Sequence, residues 1–199
     1  MAEKSLWMRQ VEAQPGHSAW YIQRFRDLAE QGQDLDGEAR LVDAMVPRGS
    51  RVLDAGCGPG RVGAALADRG HTVVGVDVDP ALIEAAEQDH PGPTWLVQDL
   101  AELDLPAAGV TEPFDALVCA GNVMTFVAPS TRRAVLTSLR AVLRPEGRAA
   151  IGFGAERGYP FDEFFADAEA TGWSVDLRLS TWDLVGWTPE SGFLVALLR

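Results

Sequence analysis

At 199 residues the chain suits one α/β domain with a short terminal extension, and an apolar content of 47% suffices for a core without disulfides. A net charge of −12, from 29 acidic and 17 basic residues, repels phosphate backbones and anionic surfaces, which excludes nucleic acid and membrane as expected partners. No apolar run nears the roughly 18 residues of a membrane span. Glu3, Lys4 and Arg9 break any leader-like stretch, so Cys57 and Cys119 are expected as reduced thiols in the cytoplasm.

In chain order, residues 18–30 read as an amphipathic helix, with Trp20, Ile22, Phe25, Leu28 and Ala29 at helical spacing. A second helix spans 36–46 and stops at Pro47 and Gly49. Strands and helices then alternate. Residues 52–55 form a short apolar strand, 61–69 a helix closed by Gly70, and 72–76 a β-branched, buried strand. Asp79 caps the next helix, with Pro80 at its first position. Strands follow at 94–97 and 114–120, separated by a loop over 100–112. A helix over 131–143, a strand over 148–153 and a helix over 161–171 continue the pattern. Residues 174–182 and 193–198 lack a crossover helix between them and should pair antiparallel. The expectation is a Rossmann-like, doubly wound, mostly parallel sheet of seven strands with an antiparallel C-terminal strand. Residues 1–46 form an N-terminal helical cap and 47–199 the core.

Chemistry concentrates where the first strand turns into its helix. Asp54 ends the strand, and Gly56, Gly58 and Gly60 alternate before Arg61. Such glycines permit a tight turn and close approach of a ligand to the backbone at the carboxyl edge of an open sheet. Asp77 ends the second strand, placed to accept both hydroxyls of a ribose diol. Gly58, Gly60 and Gly63 also match the dinucleotide fingerprint, leaving a nicotinamide-dependent reductase as one alternative. Asp54 argues against it, because a carboxylate there would face a pyrophosphate.

The segment resembles the first signature motif of class I S-adenosylmethionine-dependent methyltransferases, in Asp54, Gly56, Gly58 and Gly60. Gly75 to Pro80 resembles the family's second motif, Gln98-Asp99-Leu100 its third, and Phe114 to Ala120 its fourth strand. The resemblance implies S-adenosylmethionine as cofactor and S-adenosylhomocysteine as product. It places Asp54, Gly56, Cys57 and Gly58 at the methionine part, and Asp77 and Val78 at ribose and adenine. Gln98, Asp99 and Leu100 fall at the adenine edge, and Ala120 to Asn122 beneath the sulfonium.

The acceptor side is thinner. Tyr21 and Arg24 are expected to cap the cofactor from the first helix, and His17, Asn122 and Arg157 are candidates for the acceptor. Methyl transfer is an in-line displacement that needs alignment and exclusion of water rather than a fixed triad. His17, Tyr21 and Glu156 are candidate bases. No Cys/His cluster suggests a metal. A small-molecule acceptor is expected for a monomer or homodimer, and a non-catalytic S-adenosylmethionine-binding protein is the remaining alternative.

Overall fold

A computed structural model describes residues 2–199. Three helices come first: α1 (Leu6–Ala13), α2 (His17–Glu30) and α3 (Gly37–Met45). There follow β1 (Arg51–Ala55), α4 (Arg61–Asp68), β2 (Thr72–Asp77), α5 (Pro80–Asp89), β3 (Thr94–Val97) and β4 (Phe114–Cys119). The chain ends with α6 (Val123–Phe126), α7 (Arg132–Ala141), β5 (Leu143–Gly154), α8 (Phe161–Ala170), β6 (Val175–Leu179) and β7 (Phe193–Leu198).

The strands form one sheet in the order β3-β2-β1-β4-β5-β7-β6. All neighbours pair parallel except β7, which lies antiparallel between β5 and β6. This is the sheet that the alternating pattern and the helix-free ending predict. β1 and β2 are buried along almost their whole length because helices cover both faces, so they read as continuous apolar runs. Leu53, Leu117 and Ile151 face α7 and α8 in one core, while Val52, Val118 and Ala150 face α3 and α4 in the other. No helix among the described residues is long and apolar enough to cross a membrane.

Strand order reverses between β1 and β4, so their carboxyl ends diverge into a crevice, the usual ligand position in open α/β sheets. Three local departures bear on that crevice. The first is α1, capped by Ser5, whose hydroxyl accepts from the Met8 N–H; the sequence reading left this segment unassigned. The second is α6, a single helical turn placed just after β4. The third is the buried face of α2. Trp20 was read on that face but is 55% exposed, whereas Tyr21 and Phe25 turn inward.

Candidate functional site

The loop after β1 is held by its own backbone. The N–H groups of Gly56 and Cys57 both donate to the Val76 carbonyl, at 2.8 and 3.0 Å, stapling the loop to the end of β2. Gly56, Gly58 and Gly60 have φ of 76, 55 and 87°, the left-handed region that glycine adopts without strain. A Cβ on Gly56 would also sit 2.4 Å from Val123 on α6. The other glycines of the region serve packing. A Cβ on Gly75 would meet the Trp95 indole at 2.3 Å, and one on Gly63 would meet it at 2.9 Å. Trp95 is anchored by its indole N–H to the His90 carbonyl, 3.0 Å away.

Two carboxylates are buried at the strand ends. Asp54 Oδ2 accepts from the Gly63 N–H in the first turn of α4 at 2.8 Å, and no donor among the described residues meets Oδ1. Burial pushes this carboxyl up to about 7, against the lowering by the Gly63 hydrogen bond and by Arg61. Asp77 Oδ2 accepts from Gly58 N–H at 2.9 Å and Oδ1 from Asp79 N–H at 3.0 Å. Burial pushes Asp77 up to about 6 despite these bonds. A carboxylate offers about four lone-pair sites, so these backbone donors leave Asp77 with acceptor capacity. The thiol of Cys57 is pushed well up by burial and by the same two carboxylates, which makes it a poor nucleophile.

Asp79 lies two residues further and does more than cap α5. Its Oδ1 accepts from Ala81 N–H at 2.9 Å, as the sequence predicts. Its Oδ2 takes the Trp7 indole N–H at 2.9 Å and the Ser18 hydroxyl at 2.5 Å. One buried carboxylate thus fastens both α1 and α2 to the sheet edge. From this anchor α2 lays Tyr21 across the crevice. Its ring comes within 3.6 Å of a Cβ built on Gly58, and its hydroxyl within 3.7 Å of one on Gly121. Desolvation raises the Tyr21 phenol above its ordinary range, so at neutral pH it is a donor and not a base.

These pieces enclose a pocket of about 970 Å³ including its mouth. Of the residues singled out from sequence, Tyr21, Asp54, Gly56, Cys57, Gly58, Asp77, Val78, Asp99, Leu100, Ala120 and Gly121 line it. The others lie elsewhere. Gly60 is the left-handed cap of α4, packed on Trp95. The Gln98 amide makes two bonds with the Asp104 backbone, at 2.9 and 3.0 Å. Asn122, itself at φ 66°, accepts from Gly154 N–H at 2.8 Å and so joins the ends of β4 and β5. Arg24 is exposed beside Trp20 and Phe25, His17 packs between Trp7 and Trp20, and Arg157 is exposed over Gly154. Glu156 is likewise exposed.

Sequence reasoning misses a wall made by the N-terminal segment and the chain after β4: Glu3, Ser5, Trp7, Phe126, Val127, Ala128 and Thr131. Ser5 as a helix cap ahead of Leu6 and Trp7 was the signal that could have revealed α1. Arg61 also lines the pocket, but Glu38 grips its guanidinium in a two-pronged ion pair at 2.6 and 2.8 Å, and the Leu35 carbonyl takes a further bond.

Residues 52–147 match the family described as a methyltransferase domain. A solved structure of a TehB-like SAM-dependent methyltransferase from Corynebacterium glutamicum is 46% identical, with a TM-score of 0.88. The alignment covers 94% of this chain and 99% of that one. An uncharacterized methyltransferase of Mycobacterium tuberculosis is 40% identical over 56% of this chain and 54% of its own. The magnesium-protoporphyrin O-methyltransferase of Rhodobacter capsulatus is 35% identical over 59% of this chain and 52% of its own. The chain therefore spans about half the length of these curated relatives.

Proposed function

This chain belongs to the S-adenosylmethionine-dependent methyltransferase family, and we propose that it moves the methyl group of that cofactor to a small-molecule acceptor in the pocket described above. Family membership sets the nicotinamide alternative aside. The observation that carries the reading is the pair of buried carboxylates with unused acceptor capacity, Asp54 and Asp77, at adjacent strand ends.

The residues present fit the cofactor. An ammonium suits the Asp54 oxygen that meets no donor, and a ribose diol suits the free lone pairs of Asp77. Val78, Leu82 and Leu100 offer apolar surface for a purine, with Asp99 at its edge. S-Adenosylmethionine, when bound, supplies a methyl group already activated by positive sulfur. The chain aligns the two partners and excludes water. Gly56 and Gly58 bring the backbone close on one side, and Ala120 and Gly121 keep the floor small. Of the residues expected to form the cap, α1 and α2 roof the pocket with Trp7, Tyr21 and Phe25, whereas α3 packs on the sheet beside α4.

Asp77→Ala tests the reading. Two hydrogen bonds to a charged acceptor are worth roughly 1.5–3 kcal/mol each, less where water substitutes. Affinity for S-adenosylhomocysteine by calorimetric titration should fall about a hundredfold, at 1.4 kcal/mol per factor of ten. An unchanged affinity would remove Asp77 from the cofactor site.

A further inference from the structure

The wall of the pocket beyond the cofactor loops has a chemistry of its own. Trp7 packs edge-on to Tyr21 at 5.2 Å and to Phe126 at 5.5 Å, and all three rings line the pocket. Val127 and Ala128 extend the apolar surface, and Glu3 stands at its rim. Hydrogen bonds from Ser130 and Arg9 hold the Glu3 carboxyl below the ordinary range, so it is ionised at neutral pH. Four carboxylates line the pocket altogether: Glu3, Asp54, Asp77 and Asp99. Among the described residues Arg61 is the one cation lining it, and Glu38 pairs with that charge as Arg9 pairs with Glu3, so the rings carry most of the attraction for a cation.

Resting on the methyltransferase reading, we infer that the acceptor atom is a neutral amine nitrogen carried on a compact apolar or aromatic frame. Aromatic rings attract a cation through their quadrupole, and a carboxylate at the rim adds to that attraction. Charge accounting separates an amine from the alternatives. The nitrogen lone pair forms the N–C bond as the C–S bond breaks toward sulfur, and the positive charge passes from sulfur to nitrogen. The charge therefore stays within a pocket built to hold it. A thiolate, phenolate or carboxylate acceptor would instead bring an anion against the negative faces of the same rings. An aliphatic amine enters such a pocket as its ammonium, so its proton first leaves to water at the open mouth and frees the lone pair; Tyr21 is held protonated, and His17 and Glu156 lie outside the lining. Where the product nitrogen still carries a proton, that proton leaves to water at the open mouth.

The test uses the full chain and begins by titrating S-adenosylhomocysteine calorimetrically. Failure of that ligand to bind would strike the methyltransferase reading itself. With its site saturated, benzyltrimethylammonium and benzoate are titrated as matched probes, the first mimicking a methylated product. The cation should bind at least about tenfold more tightly, and Glu3→Gln should reduce that preference about two- to fivefold, the effect of one exposed charge. S-Adenosylhomocysteine affinity should be unaltered in Glu3→Gln. Equal or absent binding of the two probes, or tighter benzoate, overturns the inference. In turnover with labelled S-adenosylmethionine, N,N-dimethylbenzylamine should be methylated in preference to benzyl mercaptan or benzoate, and the reverse order overturns it as well.

Discussion

Replacing Asp79 by alanine separates two accounts of how the cap is held. In the sequence this residue is a helix cap, and losing such a cap costs about 1 kcal/mol without touching ligand binding. In the structure the same carboxylate also receives the Trp7 indole and the Ser18 hydroxyl, and it is only 3% exposed. Hydrogen bonds to a charged acceptor are worth about 1.5–3 kcal/mol each, and two donors sharing one oxygen fall short of the sum. The total loss is therefore about 3–5 kcal/mol, larger than a cap alone can explain. Part of it should appear as release of α1 and α2, since the sheet and its other helices do not depend on them. S-Adenosylhomocysteine affinity should fall about tenfold, because Trp7, Tyr21 and Phe25 leave the pocket with the cap. Urea denaturation gives the stability and calorimetric titration the affinity. Asp79→Asn, which keeps one acceptor oxygen, should lie between. An Asp79→Ala variant that loses about 1 kcal/mol and binds like the parent would refute the anchoring role.

Two further outcomes follow from the same geometry. Asp54 and Asp77 bind protons more tightly folded than unfolded, with folded values of about 7 and about 6. Their contribution to ligand-free stability is thus fully present below about pH 4 and is lost as pH rises through 6 and 7. Affinity for S-adenosylhomocysteine should move the opposite way, at least about tenfold weaker at pH 5.5 than at pH 8, because its ammonium requires ionised Asp54. Thermal melts with and without ligand across that range check both signs, and parallel trends would disprove the assignment. Gly75→Ala should destabilise by about 1–3 kcal/mol or more, since its Cβ would overlap Trp95 inside a buried strand. Adding Trp95→Phe should recover part of that loss in denaturant melts, as expected of coupled neighbours.

The sheet was legible because its signals are local. Apolar runs of four to six residues, glycine at the helix ends and Pro80 after Asp79 each act within one turn of chain. Asp54 and Asp77 were legible for a related reason: Asp77 ends β2 and Asp54 stands one residue before the end of β1, and strand geometry fixes where such side chains point. Gln98 and Asn122 sit at equally suggestive positions, yet their amides turn to the backbones of Asp104 and Gly154. Nothing local in the sequence declares which way an amide will rotate. The roof was the least legible part. Trp7 meets Asp79 across 72 residues, and that single contact turns an unremarked N-terminal segment into a wall of the pocket.

The charge of the chain acquires a sharper meaning once its distribution is known. A net −12 repels polyanions in general, whereas under the proposed function the carboxylates lining one pocket would set what enters it. Asp54 and Asp77 are costly in the ligand-free protein: burial raises them to about 7 and about 6, so Asp54 stays partly protonated near neutrality. Under the proposed function a cationic ligand would replace those protons and relieve the cost, so the groups that weaken the ligand-free fold at neutral pH would be the ones that recognise the ligand. The cap avoids competing for them. It anchors on Asp79, two residues along the same loop, and so leaves Asp54 Oδ1 and the free lone pairs of Asp77 open to the pocket. The fastening and the proposed recognition thus sit on neighbouring carboxylates of one short loop, joined by the hydrogen bond from Asp79 N–H to Asp77 Oδ1.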